Sequence, residues 1–589
     1  MKERRVWRAG LAWLTGLGVT LTAGLSWGAA PAPVPSPLSR EQVNPGGQVE
    51  GLRRQRPADV FSGPAREVCQ LSDDPALGFT FSAGVLSDPA KVLSAQDGQA
   101  AWGEWLGKRI TPHQLCEIRD RLALRIFRRG VLARVVIPPQ TIASGTVKFE
   151  IIAAKIVSVR FDGDDIGPAQ AKAEAYLNHL RRRNAFDLDS AQRWLLLVND
   201  IPGVQAAAKI VHSTAPGAPP EGLDLVVTMR RTAVNELAEV SNVNSKSLGP
   251  WSGIARADFN SFTGLGERSS VVVSSTIGEN SQQVVQLIEA VKLGDSGLFG
   301  QASFSYGHSR PGDVLKPLDL TGNSYSGSFE ADYPLIRLQR ETVMVAAGMD
   351  LVDQETTFPT GQAVSADSLR VAWVRADASV AAIDRPVGSN LVTTQADLTV
   401  QVRKGLDVLG ASRAGEPALS RLGGRPDGWV VRGDGHASIR IAPMDSHLAA
   451  ITLSTHVLGQ WADRPLLAFE QQGIGNLTIG RGYDPNATSG DRVIAGEFKI
   501  QVGPLRLWRN LKVTPYAFED VARVGYLTAG EKDVTLRSVG GGLEFRVPYD
   551  RRGDAIRIDA GYAKPLDKPV PSAIAKPPEE FLLQIIIVH

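Results

Sequence analysis

The chain has 589 residues, of which 43% are hydrophobic and 21% charged, with 59 glycines, 36 prolines and two cysteines. This length exceeds one ordinary domain, and two cysteines outside CxxC spacing exclude a disulfide-dense scaffold and a four-thiolate zinc site. The 64 basic and 62 acidic side chains nearly cancel, which argues against a nucleic-acid binder driven by overall charge.

The first 30 residues have the organisation of a secretory signal peptide. A basic segment, residues 1–8, precedes an uncharged apolar stretch, residues 9–25. This stretch is short beside the roughly 20 residues of a membrane-spanning helix, so an uncleaved anchor is the less favoured alternative. Export would place Cys69 and Cys116 in an oxidising compartment, where a disulfide is the default and a reduced pair the alternative.

Residues 31–66 are rich in proline and arginine, a composition that predicts an extended linker. A short helix within residues 38–56 is one alternative, although Pro45 and two following glycines interrupt it. A disordered tether is the other. Both remain open at this point.

Two units of mixed α/β character follow, over residues 67–157 and 158–233. Their similar size and order of elements indicate an internal repeat of architecture. From the periodicity of apolar residues we predict helices over 111–127, 169–182 and 189–198, and strands over 133–138, 146–152, 156–161, 205–211 and 222–228.

The region 234–589 loses the helical pattern and shows short segments that alternate between apolar and polar residues. Examples are 302–306, 325–333, 451–457, 543–547 and 556–562. In an exported chain this dyad repeat predicts a transmembrane antiparallel β-barrel with lipid outside and water inside. At roughly 22 residues per strand and connection, the region would hold about 16 strands. A soluble sandwich or propeller would also alternate, but charged residues in mid-strand suit a wet lumen better.

The most specific motif lies late in the chain. Residues 479–483 read Ile-Gly-Arg-Gly-Tyr, and Gly490-Asp491 and Glu497 follow. This segment resembles the Arg-Gly-Tyr loop of the Omp85 superfamily, in the form found in two-partner secretion transporters (TpsB type), the haemolysin secretion/activation proteins. These are the outer-membrane partners of filamentous adhesins and haemolysins.

Other segments match the same family in the same order. Residues 191–204, which end in the turn Pro202-Gly203-Val204, resemble the helix and turn of the second polypeptide-transport-associated (POTRA) domain. Residues 127–145 resemble part of the first POTRA domain. In that domain a pair of cysteines recurs in the family at positions like those of Cys69 and Cys116.

The resemblance implies roles for the loop residues Arg481, Gly482 and Tyr483. The family places a carboxylate partner for the arginine in a Phe-x-Asp motif on a barrel strand, and Phe518 and Asp520 match that motif. A guanidinium inside a lumen needs such a partner, and flanking glycines permit a sharp turn. The alternative is that Arg481 is an ordinary solvated loop residue.

A second glycine-rich segment, Gly540-Gly541-Gly542, resembles the family's strand close to the end of the barrel. A simple glycine kink is the alternative for these residues.

Two features depart from the family pattern. Family barrels usually end in a strand that closes with an aromatic residue, whereas residues 581–589 end in Ile-Val-His and are apolar on both faces. This departure raises the question of how the barrel closes, although Phe581 is a candidate for the strand start. At the end of the first unit, Ala153-Ala154 replaces a common Glu-Gly.

Enzyme motifs are absent from the sequence, which contains no HExxH, GxxxxGK[ST] or GxSxG segment. We therefore expect no enzymatic activity, no cofactor and no metal site.

The resemblance implies an outer-membrane pore that secretes a large exoprotein to the cell surface without ATP. The POTRA domains would lie in the periplasm and recognise the unfolded TpsA-type partner through its N-terminal secretion domain. Residues 31–56 would plug the lumen at rest. Other expected partners are outer-membrane lipids and the assembly machinery during biogenesis, with no nucleic acid. The alternatives are an outer-membrane assembly or insertion factor, a passive porin and a soluble exported adhesin.

Overall fold

The computed structural model describes residues 38–50, 69, 71–142, 144–219, 221–278, 281–381, 385–445, 449–508, 510–548, 555–569 and 577–588. The predicted signal peptide lies outside the described residues, as does the predicted linker apart from 38–50. No helix among these residues is both long and apolar enough to cross a membrane.

Two short helices open the described chain, α1 (Arg40–Val43) and α2 (Pro45–Glu50). Ser39 and Gln42 form a capping box at the start of α1, in which each side chain bonds to the other residue's backbone N–H. A proline begins α2, where its missing N–H would have had no partner in the helix. This part of the predicted linker is therefore helical.

Within its described residues the α/β region has four α-helices and nine strands. The three helices and five strands predicted from the sequence lie close to their predicted bounds. One helix and four short strands, at 79–80, 83–87, 95–102, 109–110 and 186–187, were not predicted. In chain order the elements are β1 (Phe79–Thr80), β2 (Ala83–Ser87), α3 (Ala95–Trp102), β3 (Arg109–Ile110), α4 (Pro112–Arg128), β4 (Val131–Val136), β5 (Thr146–Ala153), β6 (Lys155–Gly163), α5 (Ala169–Arg181), β7 (Phe186–Asp187), α6 (Leu188–Asn199), β8 (Val204–His212) and β9 (Gly222–Arg231). The predicted boundary between residues 157 and 158 falls inside β6.

Each unit of this region packs helices on a small sheet. The sheets have the orders β2-β5-β4-β7 and β6-β9-β8. The apolar stripe of α4, with Ile118 and Leu122 fully buried, packs in one core with the inward residues Val147 and Phe149 of β5. Helices α5 and α6 cover the second sheet around Tyr176. Both cores form because apolar residues recur about every 3.6 positions along the helices and every second position along the strands, which places them on one face of each element.

The two units share a sheet edge. Strand β7 lies in the second half of the α/β region, yet it pairs with β4 of the first sheet. The Phe186 N–H also donates to the Ala154 carbonyl at 2.6 Å, and the Leu188 N–H to the Gly130 carbonyl at 2.7 Å. These bonds couple the orientation of the two units.

The remainder of the chain forms a closed antiparallel β-barrel of 16 strands, as predicted. Its strands are β10 (Val234–Ser241), β11 (Ser252–Asn260), β12 (Arg268–Thr276), β13 (Gln282–Lys292), β14 (Phe299–Ser309), β15 (Thr321–Arg337), β16 (Glu341–Thr357), β17 (Ala363–Ala381), β19 (Asn390–Gly405), β20 (Trp429–Pro443), β21 (Ile451–Ala462), β24 (Arg492–Val502), β26 (Leu511–Gly525), β27 (Val534–Pro548), β28 (Ala555–Pro565) and β29 (Glu580–Val588). The short segments β18 (Arg385–Val387) and β25 (Leu505–Trp508) extend hairpins, and β22 (Gln472–Ile474) pairs with β23 (Thr488–Gly490) in a separate two-stranded sheet.

The predicted alternation separates an apolar outer face from a polar inner face. On β13, for example, Val285 and Leu287 are exposed on the outside, whereas Gln286 between them is buried inside. Phe304, Tyr325 and Phe329 lie on the outer face in the same way. An outer face of this kind suits lipid, and the polar inner face suits water.

The unusual last strand closes the barrel by pairing with both neighbours. Strand β29 pairs with β28 over its length and with β10 from Leu237 to Ser241. Its inward Ile586 packs with Val49 of α2 and with Leu237. Helix α2 therefore covers the inner face at Ile586, whereas Gln584, two residues earlier on that face, donates to Glu239 Oε1 at 2.8 Å. Phe581, the candidate strand start, lies near the beginning of β29 and is exposed.

The cysteines of the first unit are joined by a disulfide. The bond links Cys69, before the first sheet, to Cys116 on α4, with a Cα–Cα distance of 5.9 Å. We expect thiol labelling of the unreduced, denatured protein to modify neither cysteine, and labelling after reduction to modify both. Two labelled thiols without reductant would contradict the pairing.

Candidate functional site

The segment between β21 and β24, residues 463–491, folds back along the inner wall of the barrel; we call it the lumen loop. It contains a 3₁₀ turn, Ala468–Glu470, and the β22–β23 hairpin. Its apolar residues Ile474, Ile479 and Tyr483 are buried in one cluster with inward side chains of β24, β26 and β27. Burial of these side chains fixes the loop on the wall.

Arg481 lies at the turn of the lumen loop and contacts two carboxylates of the wall. Its Nη2 is 2.9 Å from Asp520 Oδ1 and 3.0 Å from Glu497 Oε1. Its backbone N–H donates to Asp520 Oδ2 at 2.8 Å, and Ser538 Oγ donates to the same oxygen at 3.1 Å. Both oxygens of the Asp520 carboxylate therefore accept hydrogen bonds, and the residue is only 1% exposed.

The electrostatics of this group favour the charged arginine. Burial alone would lower the pKa of Arg481, but hydrogen bonding and attraction to Asp520, with a further contribution from Glu497, raise that pKa above its ordinary value. Arg481 is therefore positively charged throughout the physiological pH range.

Phe518 completes the arginine site from the neighbouring inward position of β26. The Arg481 guanidinium carbon lies 3.5 Å from the centre of its ring, in cation–π contact. The ring in turn occupies space left by Gly540 of β27, where a Cβ atom would lie 2.6 Å from Phe518 Cζ. The glycine-rich segment thus leaves room for the aromatic rings of β26. This packing role was not predicted from the sequence, where the alternatives were a family-type strand and a simple glycine kink.

Gly482 and Tyr483 anchor the other side of the turn. A Cβ on Gly482 would lie 2.9 Å from Ser538 Cβ and from the Pro565 nitrogen, so the backbone approaches the wall more closely than any other residue permits. The Tyr483 side chain is fully buried, and its hydroxyl donates to the Arg537 carbonyl at 2.8 Å. That hydroxyl also accepts the Asp567 N–H at 3.0 Å.

A second buried ion cluster fixes the base of the lumen loop. Glu470 is 2.7 Å from Arg403 of β19 and 3.1 Å from Arg432 of β20. Burial alone would raise the pKa of Glu470, but the two guanidinium groups lower it to about 2 from 4.5. The resulting stabilisation is complete above about pH 4.5 and is lost as the pH falls toward 2.

Helices α1 and α2 occupy the lumen beside the loop. Glu50 lies 2.7 Å from Arg256 of β11, whose side chain is fully buried, and 3.0 Å from Arg268 of β12. The Gly46 N–H donates to Gln286 Oε1 at 3.0 Å. Arg40 Nη2 donates to Gln472 Oε1 of the lumen loop at 3.1 Å. The two lumen elements therefore touch each other as well as the wall.

The predicted turn of the second POTRA domain lies against the base of the barrel. The Pro202 carbonyl accepts a hydrogen bond from Ser261 Oγ at 2.8 Å. Gly203 has a φ of +76°, and a Cβ there would lie 2.7 Å from Asn260 Cβ. Nearby, Asp200 forms a bidentate pair with Arg337, at 2.8 and 2.7 Å.

We expect Gly203→Val to loosen this joint and to increase proteolysis between residues 199 and 234 of the inserted protein severalfold. The added side chain would clash with Asn260 and would disfavour the positive φ. Gly217→Val is the matched control, because Gly217 has a φ of +78° with nothing within 4 Å of its Cβ position. Equal cleavage of the two variants would argue against a packed joint.

Sequence reasoning missed several contacts of this site. It singled out Glu497 without a role, and it did not anticipate Glu470 with its two arginines. The partners of Glu470 are more than 35 residues away along the chain, and the register of β19 and β20 that brings them together is not visible in local patterns. The site consists of salt bridges and packed side chains, and these contacts hold the lumen loop against the barrel wall.

Known proteins resemble this chain in sequence and in fold. A family model described as haemolysin secretion/activation protein ShlB/FhaC/HecB matches residues 223–547, more than half of the chain. The heme/hemopexin transporter protein HuxB of Haemophilus influenzae (strain 86-028NP) is 23% identical over 492 residues, with 80% of each chain covered.

Two solved structures share the fold. CdiB from Escherichia coli superposes with a TM-score of 0.71 at 14% identity, covering 89% of this chain and 93% of that one. CdiB from Acinetobacter baumannii gives a TM-score of 0.65 at 16% identity, with 93% and 96% covered.

Proposed function

Since the chain belongs to the haemolysin secretion/activation protein family ShlB/FhaC/HecB, we propose that its α/β units capture an unfolded exoprotein that the barrel then conducts. The chain is an outer-membrane pore of two-partner secretion. The observation that carries this function is the 16-strand barrel whose lumen holds a loop anchored by Arg481 and Asp520.

The α/β units are the proposed POTRA domains, which lie in the periplasm at the entrance of the pore. Strands β6 and β8 are the edge strands of the second sheet. An extended segment of a TpsA-type partner adds to such an edge by backbone hydrogen bonding, a mode that tolerates many sequences. The contacts of Asp200 and Pro202 with the barrel support delivery of the segment to the lumen.

Transport needs no nucleotide in this proposal. The exoprotein enters unfolded, threads the polar lumen and folds outside, where its folded form is too wide to return. Helices α1 and α2 act as a resting plug that must leave the lumen first. The lumen loop stays on the wall and keeps the path in a competent arrangement.

The proposal is tested by comparing cells with and without this gene. Mass spectrometry of culture supernatant and outer membrane should show that one or a few large exported proteins vanish from the supernatant while the barrel proteins of the membrane stay unchanged. Loss of many barrel proteins would instead indicate an assembly factor, and no change in either fraction would favour a passive porin.

A further inference from the structure

Three side chains with metal-ligating atoms meet on the inner wall of the barrel, across β20 and β21. Asp434 and His436 lie two residues apart on one face of β20, and His456 of β21 pairs directly with His436. Asp434 Oδ1 is 3.2 Å from His436 Nε2, and Oδ2 is 2.9 Å from His456 Nε2. The ligand atoms of all three residues lie within 4.8 Å of one another.

We propose that Asp434, His436 and His456 form a binding site for a divalent transition-metal ion of the zinc class. Two imidazole nitrogens and one carboxylate are ligands that favour zinc over magnesium or calcium, which prefer oxygen. Three protein ligands leave a fourth position for water, and the lumen supplies it because the His436 and Asp434 side chains are 50% and 40% exposed.

Metal binding requires a small rearrangement of the two rings. The imidazoles are stacked, with centroids 3.9 Å apart and planes 19° from parallel, whereas a shared ion must lie near the plane of each ring. Rotation of the half-exposed His436 about its Cβ–Cγ bond opens this angle. Both Nε2 atoms already lie within 3.2 Å of the Asp434 carboxylate, one at each oxygen, so the ion would replace these two contacts by three ligand bonds.

The surrounding wall adds negative charge that favours a cation. Asp397 of β19 pairs directly with His436, and Glu497 of β24 pairs directly with His456. Glu497 is also a partner of Arg481, at 3.0 Å. A bound ion would therefore lie one strand away from the ion pair of the lumen loop.

The sequence alone did not suggest this site. His456 is separated from Asp434 by 22 positions, and the register of the β20–β21 pair is needed to bring them together. The binding itself does not depend on the proposed secretion function, so the two can fail separately.

The test uses the full-length protein, purified without a histidine tag and titrated with Zn²⁺ in competition with a chromophoric chelator. We expect one zinc ion per chain, and at least about a tenfold loss of affinity in His436→Ala and in His456→Ala. His308→Ala is the matched control, because this barrel histidine contacts Asn323 at 3.0 Å and lies far from the cluster in the barrel order; its affinity should equal that of the parent protein.

X-ray absorption of the zinc-loaded parent protein gives a second measurement that needs no variant. We expect two imidazole nitrogens and additional oxygen ligands at about 2.0–2.2 Å. Stoichiometric binding that persists in both histidine variants, a spectrum with oxygen ligands alone, or no binding at micromolar zinc would each overturn the proposal.

Discussion

Replacing Arg481 by alanine should reduce secretion of the exoprotein at least about tenfold while leaving the barrel inserted. The substitution leaves Asp520 buried without its cation, and breaking a buried pair of this kind typically costs about 3–5 kcal/mol. Because about 1.4 kcal/mol corresponds to a factor of ten in a population, the docked state of the lumen loop would be strongly depleted. Exoprotein in the supernatant measures secretion, and heat-modifiable electrophoretic mobility measures insertion.

Arg523→Ala provides the matched control for this variant. Arg523 lies on β26, the strand of Asp520, and forms its ion pair with Asp533, but both side chains are more than half exposed. Exposed pairs contribute about 0–1 kcal/mol, so secretion should remain near the parent level. If Arg481→Ala lowered secretion and insertion equally, the ion pair would serve barrel folding rather than transport.

Glu497→Gln should have a smaller effect than Asp520→Asn. Glu497 makes one contact to the arginine and is partly exposed, whereas Asp520 also accepts the backbone N–H of Arg481 and the Ser538 hydroxyl. A graded loss, largest for Arg481 and smallest for Glu497, would follow from this difference in engagement. Equal losses would mean that the three charges act as one unit.

The barrel could be predicted because its signal is local. Alternation along each strand depends on the two-residue period of a pleated sheet, and Leu287 beside Gln286 shows it without any knowledge of neighbouring strands. The number of strands followed from length. The pairing of β7 with β4 was not predictable, because a two-residue strand carries too little pattern to compete with the helices around it.

The contacts of the functional site likewise divide into those that the sequence predicted and those that it did not. Arg481 and Asp520 were paired from the family resemblance, and the structure brings them together. The contact of α2 with the last strand was beyond sequence reasoning. Ile586 looked like a departure from an amphipathic strand, yet it faces Val49, because an apolar inner face is stable wherever another element excludes water from it.

Deleting residues 38–50 should raise the single-channel conductance of the pore in planar bilayers severalfold. These residues fill space inside the barrel, where Val43 and Val49 are fully buried and Glu50 pairs with Arg256. Their removal replaces packed protein by water and ions. An unchanged conductance would mean that the segment does not obstruct the ion path.

A variant in which the order of residues 38–50 is scrambled tests whether the segment blocks the pore through its specific contacts with the wall or merely by filling the lumen. It keeps the length and composition of the segment but breaks the positions of Leu38, Val43 and Val49, which pack with inward residues of the wall, and of Glu50. Because the seat depends on these positions, the scrambled segment should leave the lumen and give the conductance of the deletion. Conductance at the parent level would show instead that any tethered chain of this length blocks the pore. In that case the contact of Arg40 with Gln472 would not be needed for the resting state.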